Sequence, residues 1–187
     1  MATINPWDRE RKLSVTSSID YCSSVKVSDQ YKQNWQSELS ETTGKLRTYK
    51  LIKKEFKNES DLELPPHMRV PIVRLRTSTH PLRIEIGRYN LPTPIPAEER
   101  YCWFCQNNLV EDECHFLFDC SLHDTMQEKN VLLNYCSLLN PAFPHLNNVD
   151  KWRFISESAA TDTHLTYIFS KYVSCAFEHH RSIASSL

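Results

Sequence analysis

The residues best suited to chemistry in this chain lie in one stretch, YCWFCQNNLVEDECHFLFDC, which runs from Tyr101 to Cys120. Cys102 and Cys105 form a Cys-x2-Cys pair, a spacing that lets two thiolates turn toward one ion. His115 and Cys120 follow in the pattern C-x2-C-x9-H-x4-C. Three sulfurs and one imidazole suit tetrahedral Zn²⁺. We therefore predict a structural zinc knuckle with Cys102, Cys105, His115 and Cys120 as ligands.

Other ligand sets use the same stretch. His123 stands three residues beyond Cys120 in a C-x2-H pair, so it could replace His115 as the fourth ligand. Cys114 is adjacent to His115 and should point away from it, as a buried free thiol. Asp112 and Glu113 can open a helical turn, which would place His115 near a helix start. A redox role for the Cys-x2-Cys pair would need a strand-to-helix context that the sequence lacks.

Two aromatic residues, Trp103 and Phe104, occupy the middle of the Cys-x2-Cys pair. An exposed aromatic side chain on a knuckle can stack on an unpaired base, which contributes about 1–3 kcal/mol per base. Alternatively, both rings cover the small site by packing on Phe116 and Leu117, and Phe104 is the better candidate for that role.

The sequence gives little support for catalysis. A catalytic zinc keeps one position open for water, whereas four ligands leave none. The chain has only two glycines, which argues against a glycine-rich phosphate loop. The adjacent His179 and His180 are expected to be solvated helix residues. We predict that the protein is not an enzyme.

Charge is unevenly distributed, although the net charge is only -1. Residues 44–100 carry twelve Lys/Arg against seven Asp/Glu, and residues 101–187 carry five against ten. The basic segment could neutralise phosphates. Its acidic counterpart favours an alternative function, a protein-interaction or structural module in which zinc only stabilises the helices. The predicted nucleic-acid contacts are Arg69, Arg74, Arg76, Arg83, Arg88 and Trp103.

The elements that must position these residues are mainly helical. Apolar residues recur at three- and four-residue steps from Asp29 to Asn58, and again from Thr163 to Ile183. Pro65-Pro66 can open a helix, which Pro71 should bend or reset. Alternation in LRIEIGRY predicts a short extended segment near 82–89. The expected fold is a helical protein built around a small C-C-H-C knuckle.

Four regions are expected along the chain. Residues 1–28 are predicted to be disordered, 29–100 to form a basic helical segment with a proline linker, 101–121 the zinc knuckle and 122–187 a C-terminal helical segment. No apolar run approaches the roughly 18 residues that span a bilayer. The N-terminus lacks the apolar core of a secretory signal. A nuclear or cytoplasmic location without membrane contact is therefore expected.

Several blocks resemble the region that follows the reverse transcriptase in non-LTR (LINE-type) retrotransposons. The similar blocks are GKLRTYKLIKKEF, RLRTSTHPLRIEIGRYN, RYCWFC and EDECHFLFDC, together with a weaker tail, and they extend over roughly 44–181. In that family a helical region leads to a gag-knuckle-like C-C-H-C motif, whose ligand positions match Cys102, Cys105, His115 and Cys120. The basic blocks match Arg74, Arg76, Arg83 and Arg88.

The resemblance implies a tail that grips template RNA and target DNA while a polymerase acts. The chain contains no Asp-Asp pair of the kind that the family's polymerase uses, and no endonuclease constellation. It therefore implies a zinc-dependent nucleic-acid-binding module without catalysis, with RNA or DNA as partner. A protein partner remains the alternative.

Overall fold

The computed structural model describes residues 29–40, 47–53, 63–105 and 107–185. The predicted disorder of 1–28 and the expected helix break at Thr42–Gly44 lie outside these residues. The chain divides into two units, Met1–Gly44 and Lys45–Leu187. In the first unit, residues 29–40 form a helix, α1.

The described part of the second unit is mainly helical, as predicted. Its only β-pairing within the described ranges is one antiparallel bridge between Tyr101 and Val110. The α-helices are α2 (Arg47–Ile52), α3 (Pro66–Arg76), α4 (Arg83–Ile86), α5 (Gln127–Leu139), α6 (Asn148–Ala159) and α7 (Thr163–Ala184). None of the described helices has the length and apolar character needed to cross a membrane.

Helix α7 is the central element of the core. The carboxylate of Asp162 accepts a hydrogen bond from the Leu165 N–H at 2.9 Å and caps the helix start. The predicted apolar stripe of α7 is buried, and it packs against α3, α5 and α6. Its members are Leu165, Ile168, Phe169, Tyr172, Val173, Ala176 and Phe177.

Helix α3 begins at Pro66, as expected, and runs through Pro71 without ending. Proline lacks an N–H, so the carbonyl of His67 loses its usual helical donor. Ser174 of α7 directs its hydroxyl to that carbonyl at 3.4 Å, and the Ser170 hydroxyl donates to the Met68 carbonyl at 3.2 Å. A hydroxyl of α7 thus replaces the hydrogen-bond donor that Pro71 lacks, and the two serine bonds hold α3 against α7.

The extended segment predicted near 82–89 is wrong. Arg83–Ile86 is α-helical and Gly87–Tyr89 is a 3-10 turn. Alternating apolar residues do not require a strand here, because the backbone N–H groups of Arg83 and Ile84 bond to the side chain and carbonyl of Glu111 instead of a neighbouring strand. Glu111 thus supplies acceptors for two backbone N–H groups in the first turn of the short helix α4, which have no acceptor within the helix.

Candidate metal centre

A narrow turn carries the first two predicted ligands. The Tyr101–Val110 bridge closes it, and the Cys102 N–H donates to the Leu109 carbonyl at 2.9 Å. Asn108 takes a left-handed conformation with φ 50°, which asparagine tolerates better than most residues. The turn places Cys102 and Cys105 inside the protein, where both are buried.

The other two predicted ligands are joined by a π-helical turn, His115–Asp119. The carboxylate of Asp112 accepts the His115 N–H at 2.8 Å, so the expected acidic start of this turn is confirmed. The Cys120 N–H then donates to the His115 carbonyl at 2.8 Å. Residues five apart on an α-helix point about 140° away from each other, whereas the wider π turn brings His115 and Cys120 to one side.

The four predicted ligands converge. One donor atom from each of Cys102, Cys105, His115 and Cys120 lies within 4.8 Å of every other, and all four residues are buried. The Cys102 and Cys120 sulfurs are 3.9 Å apart, and Cys105 Sγ is 3.3 Å from His115 Nε2. Metal–sulfur bonds of about 2.3 Å in a tetrahedron place two sulfurs about 3.8 Å apart. The cluster therefore has the dimensions to hold a metal ion.

The thiols also influence each other's ionisation. A hydrogen bond with Cys120, together with burial, raises the pKa of Cys102, while the same hydrogen bond lowers the pKa of Cys120. Burial opposes protonation of His115, but hydrogen bonding with Cys102 and the negative charges of Asp112 and Asp119 act in the opposite direction, and the pKa of the imidazole is raised. A cation that binds here would displace these protons, because thiolate and neutral imidazole are the ligating forms.

Glu111 connects the cluster to two helices. Its buried carboxylate accepts the Arg83 N–H at 2.7 Å through Oε2 and the His180 Nε2–H at 2.9 Å through Oε1. The same Oε1 lies 3.5 Å from Cys102 Sγ. The start of α4, the end of α7 and a predicted metal ligand thus meet at one side chain.

Glu113 makes the corresponding connection to the loop after α3. Its buried carboxylate accepts a hydrogen bond from the Ser78 hydroxyl at 3.2 Å and lies 3.0 Å from His80 Nε2. Ser78 takes a left-handed conformation with φ 52°, so this loop is held in an uncommon shape. Glu111 and Glu113 together fix both ends of the 78–83 segment to the stretch that precedes His115.

His123 is not part of the cluster. It is fully buried, and its Nδ1 lies 2.9 Å from the Phe116 carbonyl, against the edge of the Phe116 ring. Burial lowers the pKa of His123 to about 4. The proposed exchange of His115 for His123 is therefore not supported by this structure. Cys114, the adjacent thiol, is half-buried and also lies outside the cluster.

The two aromatic residues of the Cys-x2-Cys turn differ in environment. Phe104 is half-buried beside the cysteines, with its ring 4.3 Å from that of His180. Trp103 is 64% exposed, and the Arg83 guanidinium lies 3.8 Å from the centre of its ring. This distance allows a cation–π contact. Phe104 covers the cluster, while Trp103 faces solvent.

The predicted arginines do not share one environment. Arg76 is buried, Arg69 is half-buried, and Arg88 pairs with Glu85 at 3.3 Å. Arg74 is exposed and lines a groove between α3 and α7. The structure therefore brings Arg83 to Trp103 and leaves the other predicted arginines elsewhere.

Sequence reasoning missed Glu111, His180 and Arg100. His180 was expected to be solvated but is buried against Glu111. Arg100 is buried, and its guanidinium donates to the carbonyls of Ile84 and Ile95. The available signal for Glu111 was an acid between two predicted ligands, Cys105 and His115, but its partners Arg83 and His180 are distant in sequence.

Comparisons with protein-family models, curated proteins and solved structures found no match to this chain.

Proposed function

We propose that this protein is a non-catalytic nucleic-acid-binding module whose fold depends on a structural Zn²⁺ ion. The observation that carries the proposal is the position of Trp103. It lies in the turn between two cluster cysteines, it is 64% exposed, and a guanidinium lies against its ring. An exposed ring beside a fixed cation suits an unpaired base and its phosphate.

The ligand set supports zinc as the metal. Three sulfurs and one imidazole in a tetrahedral arrangement are typical of structural zinc sites, and softer thiolate ligands disfavour Mg²⁺ and Ca²⁺. When bound, the ion would cross-link the Cys102–Cys105 turn to the π-helical turn. No ligand position is left for substrate water, so we infer a structural role.

The chain's own residues would orient the contact surface. The Glu111 carboxylate holds the backbone of Arg83, and the Cys102–Cys105 turn holds Trp103. Because the fold depends on the metal, its loss would release the turn and also the contact between Glu111 and Arg83. Nucleic-acid affinity should therefore depend on the metal even though the metal contacts no base.

The resemblance to the post-polymerase region of LINE-type elements supports the same proposal. We propose that the chain corresponds to such a tail and supplies nucleic-acid contacts. The basic surplus of residues 44–100 supports phosphate contact, although the buried Arg76 is not available for it.

The decisive experiment measures binding of the full chain to fluorescein-labelled single-stranded RNA, single-stranded DNA and duplex DNA by fluorescence anisotropy. Trp103→Ala should weaken single-strand binding roughly tenfold, because about 1–3 kcal/mol of stacking is lost. Arg83→Gln should weaken it and reduce its salt dependence.

Tyr167→Ala is the matched control, since Tyr167 is a 49% exposed aromatic residue on α7. It should leave binding unchanged. Equal affinity of wild type and Trp103→Ala for every probe, or no binding at about 0.15 M salt, would reject the proposal. A full zinc content in each variant shows that the fold is intact.

A further inference from the structure

A groove of about 400 Å³ lies between α3 and α7 and shares no residue with the metal centre or with the Trp103 surface. Its apolar lining includes Pro66, Val70, Pro71 and Phe177. Val70 is 42% exposed although it is apolar, so the groove presents an uncovered apolar surface to solvent. This volume falls within the range of about 300–1,000 Å³ that is usual for ligand sites.

Two cations from different helices line the groove. Arg74 is on α3 and Arg181 is on α7, and both are exposed. Within the described part of the chain, neither guanidinium has an ion-pair partner. Among the described residues that line the groove, Glu178 is the only one with a carboxylate, so this lining carries a surplus of positive charge.

Two hydrogen bonds join the helices that form the walls of the groove. The Ser174 and Ser170 hydroxyls donate to the carbonyls of His67 and Met68, and the first of these bonds supplies the donor that Pro71 lacks. The two proline rings have fixed backbone angles. These constraints limit the backbone conformations of the apolar surface, which reduces the entropy cost of binding.

We propose that this groove binds an acidic linear segment of a partner protein, with one apolar side chain against the prolines and Phe177 and carboxylates at Arg74 and Arg181. Charge complementarity selects an acidic partner, and forked guanidinium groups suit carboxylates. A nucleic acid fits less well, because Phe177, at 7% exposure, offers no open ring face for a base.

The test uses the full zinc-loaded chain, labelled with ¹⁵N, and short acetylated and amidated peptides with glutamates on both sides of a central leucine or phenylalanine. These peptides should shift the amide signals of residues that line the groove on α3 and α7. Peptides with a central glycine, or with lysines in place of the glutamates, should not. A short oligothymidylate tests the nucleic-acid alternative.

Arg74→Glu and Arg181→Glu should each weaken peptide binding roughly tenfold, the effect expected when a favourable charge pair becomes repulsive. Lys171→Glu makes the same charge change at an exposed position of α7 outside the groove and should have no effect. Groove shifts caused by oligothymidylate but by no acidic peptide would overturn the proposal. So would unchanged peptide affinity in the two arginine variants.

Discussion

The Nε2–H of His180 donates to Glu111 Oε1 at 2.9 Å, which joins the last turns of α7 to the loop between Cys105 and His115. The same carboxylate holds the Arg83 N–H. A single acid thus links the metal centre, the core helix α7 and the arginine beside Trp103. The stability of the fold and the geometry of the proposed contact surface are therefore coupled.

Glu111→Gln should destabilise the protein by about 1–3 kcal/mol, because one carboxylate oxygen becomes an NH₂ group that cannot accept from His180 or Arg83. Urea unfolding followed by circular dichroism measures the change. Glu157→Gln, an exposed substitution on α6, is the control and should have little effect. Equal stability of Glu111→Gln and wild type would contradict the role given to this carboxylate.

Purified protein should contain about one zinc ion per chain, and Cys105→Ser should lose both the metal and the folded state, since a structural zinc site supplies folding free energy. Elemental analysis and thermal unfolding measure the two effects. Cys114→Ser changes a neighbouring thiol outside the cluster and should keep the zinc. A folded, metal-free wild-type protein would refute the metal centre, and a folded, metal-free Cys105→Ser protein would refute its structural role.

His123→Leu should also retain the zinc, because His123 bonds to the Phe116 carbonyl instead of facing the cluster sulfurs. The absorption spectrum of the cobalt-substituted protein reports the ligand set directly. It should be unchanged in His123→Leu and altered in His115→Ala. A spectrum that changes in His123→Leu but not in His115→Ala would show that His123, and not His115, is the fourth ligand.

Stability should fall in acid partly because of His123. Its pKa is about 4 in the folded protein, against about 6.5 in an unfolded chain, so the unfolded state takes up the proton first. The free energy of unfolding therefore has its full value above about pH 6.5 and decreases by about 3 kcal/mol in total as the pH falls toward about 4.

The metal ligands also titrate in acid, but they do so equally in wild type and in His123→Leu. Urea unfolding of both proteins across this pH range isolates the His123 contribution as the difference between their slopes. If the free energy of unfolding changes with pH in the same way in both proteins, His123 does not contribute to the loss of stability in acid.

Gly87→Ala should destabilise the protein by about 1–3 kcal/mol, as overpacking in a core does. An added Cβ would lie 2.8 Å from Arg100 Cδ and 2.9 Å from Arg100 Cγ. The Arg100 side chain cannot easily move, because its guanidinium is bonded to the carbonyls of Ile84 and Ile95.

A double-mutant cycle tests this explanation. In an Arg100→Ala background, Gly87→Ala should cost much less, because the obstructing side chain is gone. Thermal unfolding of the wild type, the two single variants and the double variant gives the coupling free energy between Gly87 and Arg100. Additive losses would show that Gly87 is required for another reason.

Local sequence patterns determined helix α7 and the choice of the four clustered residues. Apolar spacing predicted α7 almost to the residue, because an amphipathic helix is specified by its own period. The spacing of Cys102, Cys105, His115 and Cys120 predicted the cluster that the structure brings together. Both signals are contained within short stretches of chain.

Tertiary structure decided the rest, for reasons that lie outside each local stretch. Leu82, Ile84 and Ile86 alternate as a strand would, yet the backbone of Arg83 and Ile84 is helical because Glu111 supplies its acceptors. The exposure of Trp103 and the burial of Arg76 and His180 likewise depend on partners distant in sequence. Residue spacing identifies donor atoms, but only packing determines which acceptors and which faces they meet.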